Sequence, residues 1–63
     1  MKEKIELALS KGLIVMWNNQ QDHYYRINRV SGNNAFFIHS STEHIDLNNV
    51  DENDFLFMKT IGV

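Results

Sequence analysis

Sixty-three residues make one domain, and a chain that short buries only about 60% of the surface its unfolded form exposes, so reinforcement by a partner or a second copy is expected. Cysteine is absent, which removes disulfides and thiolate metal sites, and the net charge of -2 lacks the strong basic excess of a dedicated nucleic-acid domain. No apolar run approaches the roughly 20 residues that cross a bilayer.

The opening MKEKIELALSKG mixes acidic and basic residues through its apolar positions, so it reads as neither signal peptide nor anchor, and a cytoplasmic protein is expected. Met1, Ile5, Ala8 and Leu9 recur at helical spacing and Lys11-Gly12 supplies a stop, which predicts an amphipathic helix over 2–11. Ten residues do not hold a helix alone, so it must dock on a sheet. Leu7 then projects from the opposite side; the plain reading is an ordinary exposed leucine, the functional one an oligomer contact.

Residues 13–17, LIVMW, form a continuous apolar run between Gly12 and Asn18, which predicts a strand buried on both sides. Trp17 at its end is expected in the core or at a dimer interface. A polar turn, NNQQD, leads into YYRINRVSGNNAFFIHS over 24–40. Its two aromatic and β-branched runs, parted by Ser31-Gly32-Asn33-Asn34, predict a β-hairpin with strands at 23–30 and 35–40.

Alternation puts Tyr24, Arg26, Asn28 and Val30 on one face of the first strand, and His23, Tyr25, Ile27 and Arg29 on the other. Folding the loop about Gly32 and Asn33 sets Val30 opposite Ala35, Arg29 opposite Phe36, Asn28 opposite Phe37, Ile27 opposite Ile38 and Arg26 opposite His39. The face with Tyr25, Ile27, Phe36 and Ile38 is then the core candidate. Tyr24, Arg26, Asn28, Phe37 and His39 remain as a mixed aromatic and cationic face, the candidate partner-binding surface.

Beyond the hairpin, EHIDL over 43–47 alternates with Ile45 and Leu47 inward, NNVDEND forms an acidic loop or single helical turn, and FLFMKTI over 55–61 closes the chain as a strand. That strand carries Phe55, Phe57 and Ile61 on one face and Leu56 and Met58 on the other. The expected fold is α+β: a short N-terminal helix, then a four- or five-stranded antiparallel meander in a single domain spanning 1–63. The strands near GLIVMW, YYRINRV and AFFIH resemble an SH3-like, partly open barrel of the Tudor or KOW sort. On that resemblance one reading is a nucleic-acid-binding domain using the Tyr24, Arg26 and Phe37 face, with Asn28 and Arg29 beside it.

Catalytic chemistry finds no footing in the chain. Ser10, Ser31, Ser40 and Ser41 lack a glycine-framed nucleophile elbow, and so short a chain leaves little room for a pocket and an oxyanion hole together. His23, His39 and His44, with Glu43 and Asp46 nearby, invite a metal reading, but the interval from His39 to His44 crosses from one strand to the next, so locally bonded histidines are expected. Asp51, Glu52, Asn53 and Asp54 match a calcium loop in composition only, lacking its glycine and distal glutamate. No cofactor is expected.

Charge is uneven: residues 1–30 hold five basic and three acidic side chains, residues 31–63 one and five. The acidic stretch from Glu43 to Asp54 suits a basic patch on a partner protein. Eight asparagines and no proline suggest an AT-rich genome. The expectation reached is a non-catalytic protein-binding module, homodimeric, of phage or mobile-element origin, that inhibits or redirects a host factor in the manner of an anti-defence protein.

Overall fold

In a computed structural model, which describes residues 1–19 and 21–60, one N-terminal helix is followed by a five-stranded antiparallel sheet. The elements are α1 (Lys2–Ser10), β1 (Ile14–Asn18), β2 (Tyr24–Ser31), β3 (Asn34–Phe37), β4 (His44–Asp46), two 3-10 turns (Leu47–Asn49 and Glu52–Asp54) and β5 (Phe55–Met58). The strand order is β4-β3-β2-β1-β5. β4 and β5 are the two edges and do not pair, so the sheet stays open rather than closing into a barrel. The expected inward position of Ile61 lies outside the described residues.

Helix α1 buries Ile5 and Ala8, with Met1 and Leu9 packed beside them, as the spacing predicts. It ends in a Schellman motif: Gly12 N–H donates to Leu9 O at 3.1 Å, and Leu13 N–H to Ala8 O at 3.0 Å. Gly12 sits at φ +78°, left-handed backbone that glycine adopts without a Cβ penalty. The chain therefore reverses at once and lays α1 across β1 and β2.

The core comprises Ile5, Ala8, Val15, Ile27, Ala35, Phe37, Leu47 and Phe55. All of it lies on the helix side of the sheet. A nine-residue helix spans about 13 Å, whereas five strands at roughly 4.8 Å spacing extend about 19 Å across, so α1 covers one face and cannot cover two. β1 is accordingly not enclosed on both sides: Val15 is buried, but Ile14 and Met16 on the opposite face are only partly so.

The β2–β3 hairpin turns through Gly32-Asn33, with Gly32 at φ +61° in the first loop position, where a II′ turn calls for glycine. The first rungs match the symmetric fold: Ser31 faces Asn34, Val30 faces Ala35 and Arg29 faces Phe36. The next does not. Ile27 faces Phe37, so β2 holds one extra residue, Asn28, as a β-bulge. That single residue corrects the face assignment beyond it. Phe37 is buried at 7% exposure, while of the two β3-side residues expected in the core, Phe36 lies opposite Arg29 and outside the core and Ile38 is 53% exposed.

The acidic segment does local work. Asp46 accepts from Asn48 N–H and Asp51 from Asn53 N–H, each at 2.9 Å, so two aspartates start the two 3-10 turns. Ile45 and Leu47 point inward as expected, and Phe55 is buried while Leu56 and Met58 face out.

Candidate functional site

The open face is built by cross-strand pairing. Leu56 of β5 stands beside Met16 of β1, Met16 beside Arg26 of β2, and Ile38 N–H, just past the end of β3, donates to Arg26 O at 2.9 Å, which makes one row over three strands and the residue after the fourth. Alternation adds Ile14 and Met58 on one side of that row and Asn18 and Tyr24 on the other. Tyr24, Ile38, Leu56 and Met58 are 48%, 53%, 44% and 41% exposed. Exposed apolar side chains that adjoin in this way differ from singly scattered ones, because contiguity is what marks an interaction surface.

Arg26 sits in the middle of this apolar strip. Among the described residues no carboxylate lies within ion-pair distance of Arg26 or Arg29; the ion pairs formed are Lys4 with Glu52 and His39 with Glu43. Past the bulge the same face carries a second row, Arg29, Phe36 and His44. The Arg29 guanidinium lies 4.0 Å from the Phe36 ring centre, and the His44 ring 5.0 Å from it on the other side. His44 Nδ1–H donates to Thr42 O at 2.9 Å, which fixes its ring. Asp46, the acidic strand residue at this end, has its oxygens occupied by Asn48 N–H and Asn49 Nδ2.

Of the five residues expected to form the partner-binding surface, Tyr24, Arg26 and Asn28 are exposed on β2 on this side, but Phe37 and His39 are not with them. The bulge turns both to the helix side, where Phe37 stacks between Trp17 at 6.0 Å and His39 at 5.5 Å, with Tyr25 at 5.1 Å. His39 Nε2 lies 2.7 Å from a Glu43 carboxylate oxygen, closing the 38–43 loop. Trp17 belongs to this inner stack, and its Nε1–H is buried without a hydrogen-bond partner among the described residues. Leu7 is 55% exposed on α1.

The residues that sequence reasoning missed are Ile38, Met16, Leu56 and Met58. Two signals pointed to them: outward apolar pairs on β1 and β5 that one short helix could not also cover, and an asparagine inside a strand, a residue depleted from regular ladders. Among the described residues no three His, Asp or Glu side chains converge as metal ligands would, and no helix is long and apolar enough to cross a membrane.

Fold and site together define a small α+β domain: one helix backing an open antiparallel sheet whose other face is apolar with a central arginine. No family model matches the chain, and comparison with the curated proteins and with the solved structures also returned no match.

Proposed function

We propose that the chain is a non-catalytic protein-binding module that docks a partner on the open face of its sheet. The observation that carries this is the row Leu56, Met16, Arg26 and Ile38, apolar side chains around a guanidinium that no carboxylate among the described residues neutralises. Charge selects the occupant. Stacking two copies face to face would set Arg26 and Arg29 against their own images, so the complementary surface is that of another protein, apolar with a carboxylate placed to meet Arg26. Arginine and tyrosine amid aliphatic contacts are the residue types that carry binding energy at such interfaces.

The strand order, with β1 between β2 and β5, is compatible with an SH3-like fold. A Tudor- or KOW-like nucleic-acid role would draw on Tyr24, Phe36, Arg26 and Arg29, but Arg29 already lies over the Phe36 ring, which leaves Tyr24 the more accessible stacking surface. The proposed setting, a mobile-element product that inhibits or redirects a host factor, draws its support from composition.

The test is capture of partners from a host lysate by wild type, Arg26→Glu and Ile38→Asp, followed by charge exchange. A partner held by wild type, lost by both variants, and regained by Arg26→Glu when one partner carboxylate is changed to lysine supports the proposal. Retention of every partner by both variants overturns it. So does single-strand binding that falls steeply with salt and is lost with Arg26→Glu.

A further inference from the structure

The sheet has two edges, and they are not alike. β4 is three residues long, and its ends are tied down by Phe37 N–H to Glu43 O at 3.2 Å and by Leu47 N–H to Asn33 O at 2.8 Å. Short, polar edges of that kind resist further pairing. β5, Phe55-Leu56-Phe57-Met58, contains no charge, no proline and no bulge, and among the described residues no strand lies beyond it.

Beside this edge, on the helix side, runs a groove of about 240 Å³ lined by Lys4, Leu7, Ala8, Lys11, Leu13 and Phe57. Its volume is below the roughly 300–1,000 Å³ of pockets that hold small molecules, so it suits a side chain better than a cofactor. Apolar groups form its floor and two ammonium groups its rim. Lys4 shares Glu52 at 2.9 Å, while Lys11, and Lys59 just past β5, form no ion pair among the described residues. The exposed Leu7 thus has a place: it is one wall of this groove.

We infer that the β5 edge and the α1 groove together capture an extended segment of another protein, with an apolar side chain entering the groove and flanking carboxylates meeting Lys4 and Lys11. In strand addition, main-chain hydrogen bonds supply affinity and pockets for alternate side chains supply specificity. An added strand would send every second side chain toward Leu7, Leu13 and Phe57, and the intervening ones alongside Leu56 and Met58. Lys11 and Lys59 beside this edge, unpaired among the described residues, select a segment of another protein that carries negative charge. This site meets the Arg26 row only at Leu56, and it makes no use of Arg26.

The probe is the acetylated, amidated peptide Glu-Glu-Val-Leu-Val-Glu-Glu, titrated into ¹⁵N-labelled full chain at low salt, beside a version with lysine for each glutamate. Expected are amide shifts centred on 55–58, Leu7 and Leu13, binding about tenfold tighter for the acidic peptide, and about tenfold weakening by Leu7→Glu or by Lys11→Glu. Tyr24→Ala, on the other face, leaves the affinity within about twofold. Absence of shifts in β5 at millimolar peptide, equal binding of the lysine version, or shifts centred on Tyr24 and Ile38 overturns the inference. A mass that rises with concentration through β5 contacts overturns it too, because a second copy then occupies the edge.

Discussion

Ile38 donates its backbone N–H to the carbonyl of Arg26 at 2.9 Å, placing an isoleucine on the open face beside the one arginine in its central row. The cause lies two residues along β2, where Asn28 adds a residue without a partner opposite it. Without that bulge Ile38 would face Ile27 in the core and Phe37 would face outward. The composition of the candidate interface is therefore set by one asparagine.

The two registers predict opposite mutational costs. Phe37→Ala removes a buried ring and is expected to cost about 3–5 kcal/mol, enough to unfold a domain this small. Ile38→Ala removes an exposed side chain and is expected to change stability by less than about 0.5 kcal/mol. Ile27→Val, a milder probe of the same buried rung, is expected to cost about 0.5–1.5 kcal/mol. Urea denaturation followed by far-UV circular dichroism orders the three, and an Ile38→Ala cost exceeding that of Ile27→Val would contradict the bulged register.

Much of this architecture was legible from local chemistry. The helix stripe of Ile5 and Ala8, the stop at Gly12, the turn at Gly32 and the inward Ile45 and Leu47 each rest on a spacing or a backbone need that a few neighbouring residues express. The face of Phe37 was not legible in that way, because alternation carries a face assignment forward only while the ladder is regular. One inserted residue reverses every later position, and a lone asparagine among β formers is a faint signal of it. Openness of the far face follows from a tertiary quantity, the area one helix can cover, which no window of sequence contains.

Glu52 offers a test of the contact between helix and acidic segment. The Lys4 ammonium hydrogen-bonds its carboxylate at 2.9 Å, and this holds the Glu52 carboxyl below the ordinary glutamate value. A group whose folded pKa is depressed contributes stability that is present above its unfolded pKa and lost as pH falls through the folded one. The contribution therefore disappears on acidification below the ordinary glutamate range, and it is small because both partners are exposed. Lys4→Met should return the Glu52 titration, followed by carboxyl NMR, to its ordinary position. Half-molar salt should shift wild type part of the way.

The Gly12 cap supplies a purely conformational prediction. A Cβ built there meets nothing within 4 Å, so the φ of +78° alone sets the cost of substitution. Gly12→Ala is expected to cost about 1–2 kcal/mol, the penalty of a left-handed L-residue, and Gly12→Asn distinctly less, since asparagine tolerates that region better. Thermal unfolding of the two variants side by side gives the comparison, and equal melting temperatures for Gly12→Ala and wild type would show that the helix end is not held in this conformation.

Trp17 poses a sharper question, because its ring and its polar atom pull in opposite directions. The ring stacks on Phe37 at 6.0 Å and packs tilted against Tyr25 at 6.1 Å, a contribution that depends on apolar area and aromatic geometry. Among the described residues the buried Nε1–H has no acceptor, and an unsatisfied buried donor costs about 1–3 kcal/mol. Trp17→Phe deletes the donor and keeps most of the stack, so the loss of ring area and the relief of the orphan donor offset one another, and stability is expected to stay within about 1 kcal/mol of wild type. Trp17→Ala forfeits the stack as well and is expected to cost about 3–5 kcal/mol. If Trp17→Phe proves as damaging as Trp17→Ala, the indole N–H makes an interaction that the folded chain depends on, and the inner aromatic stack, not the open face, becomes the place to look for a ligand.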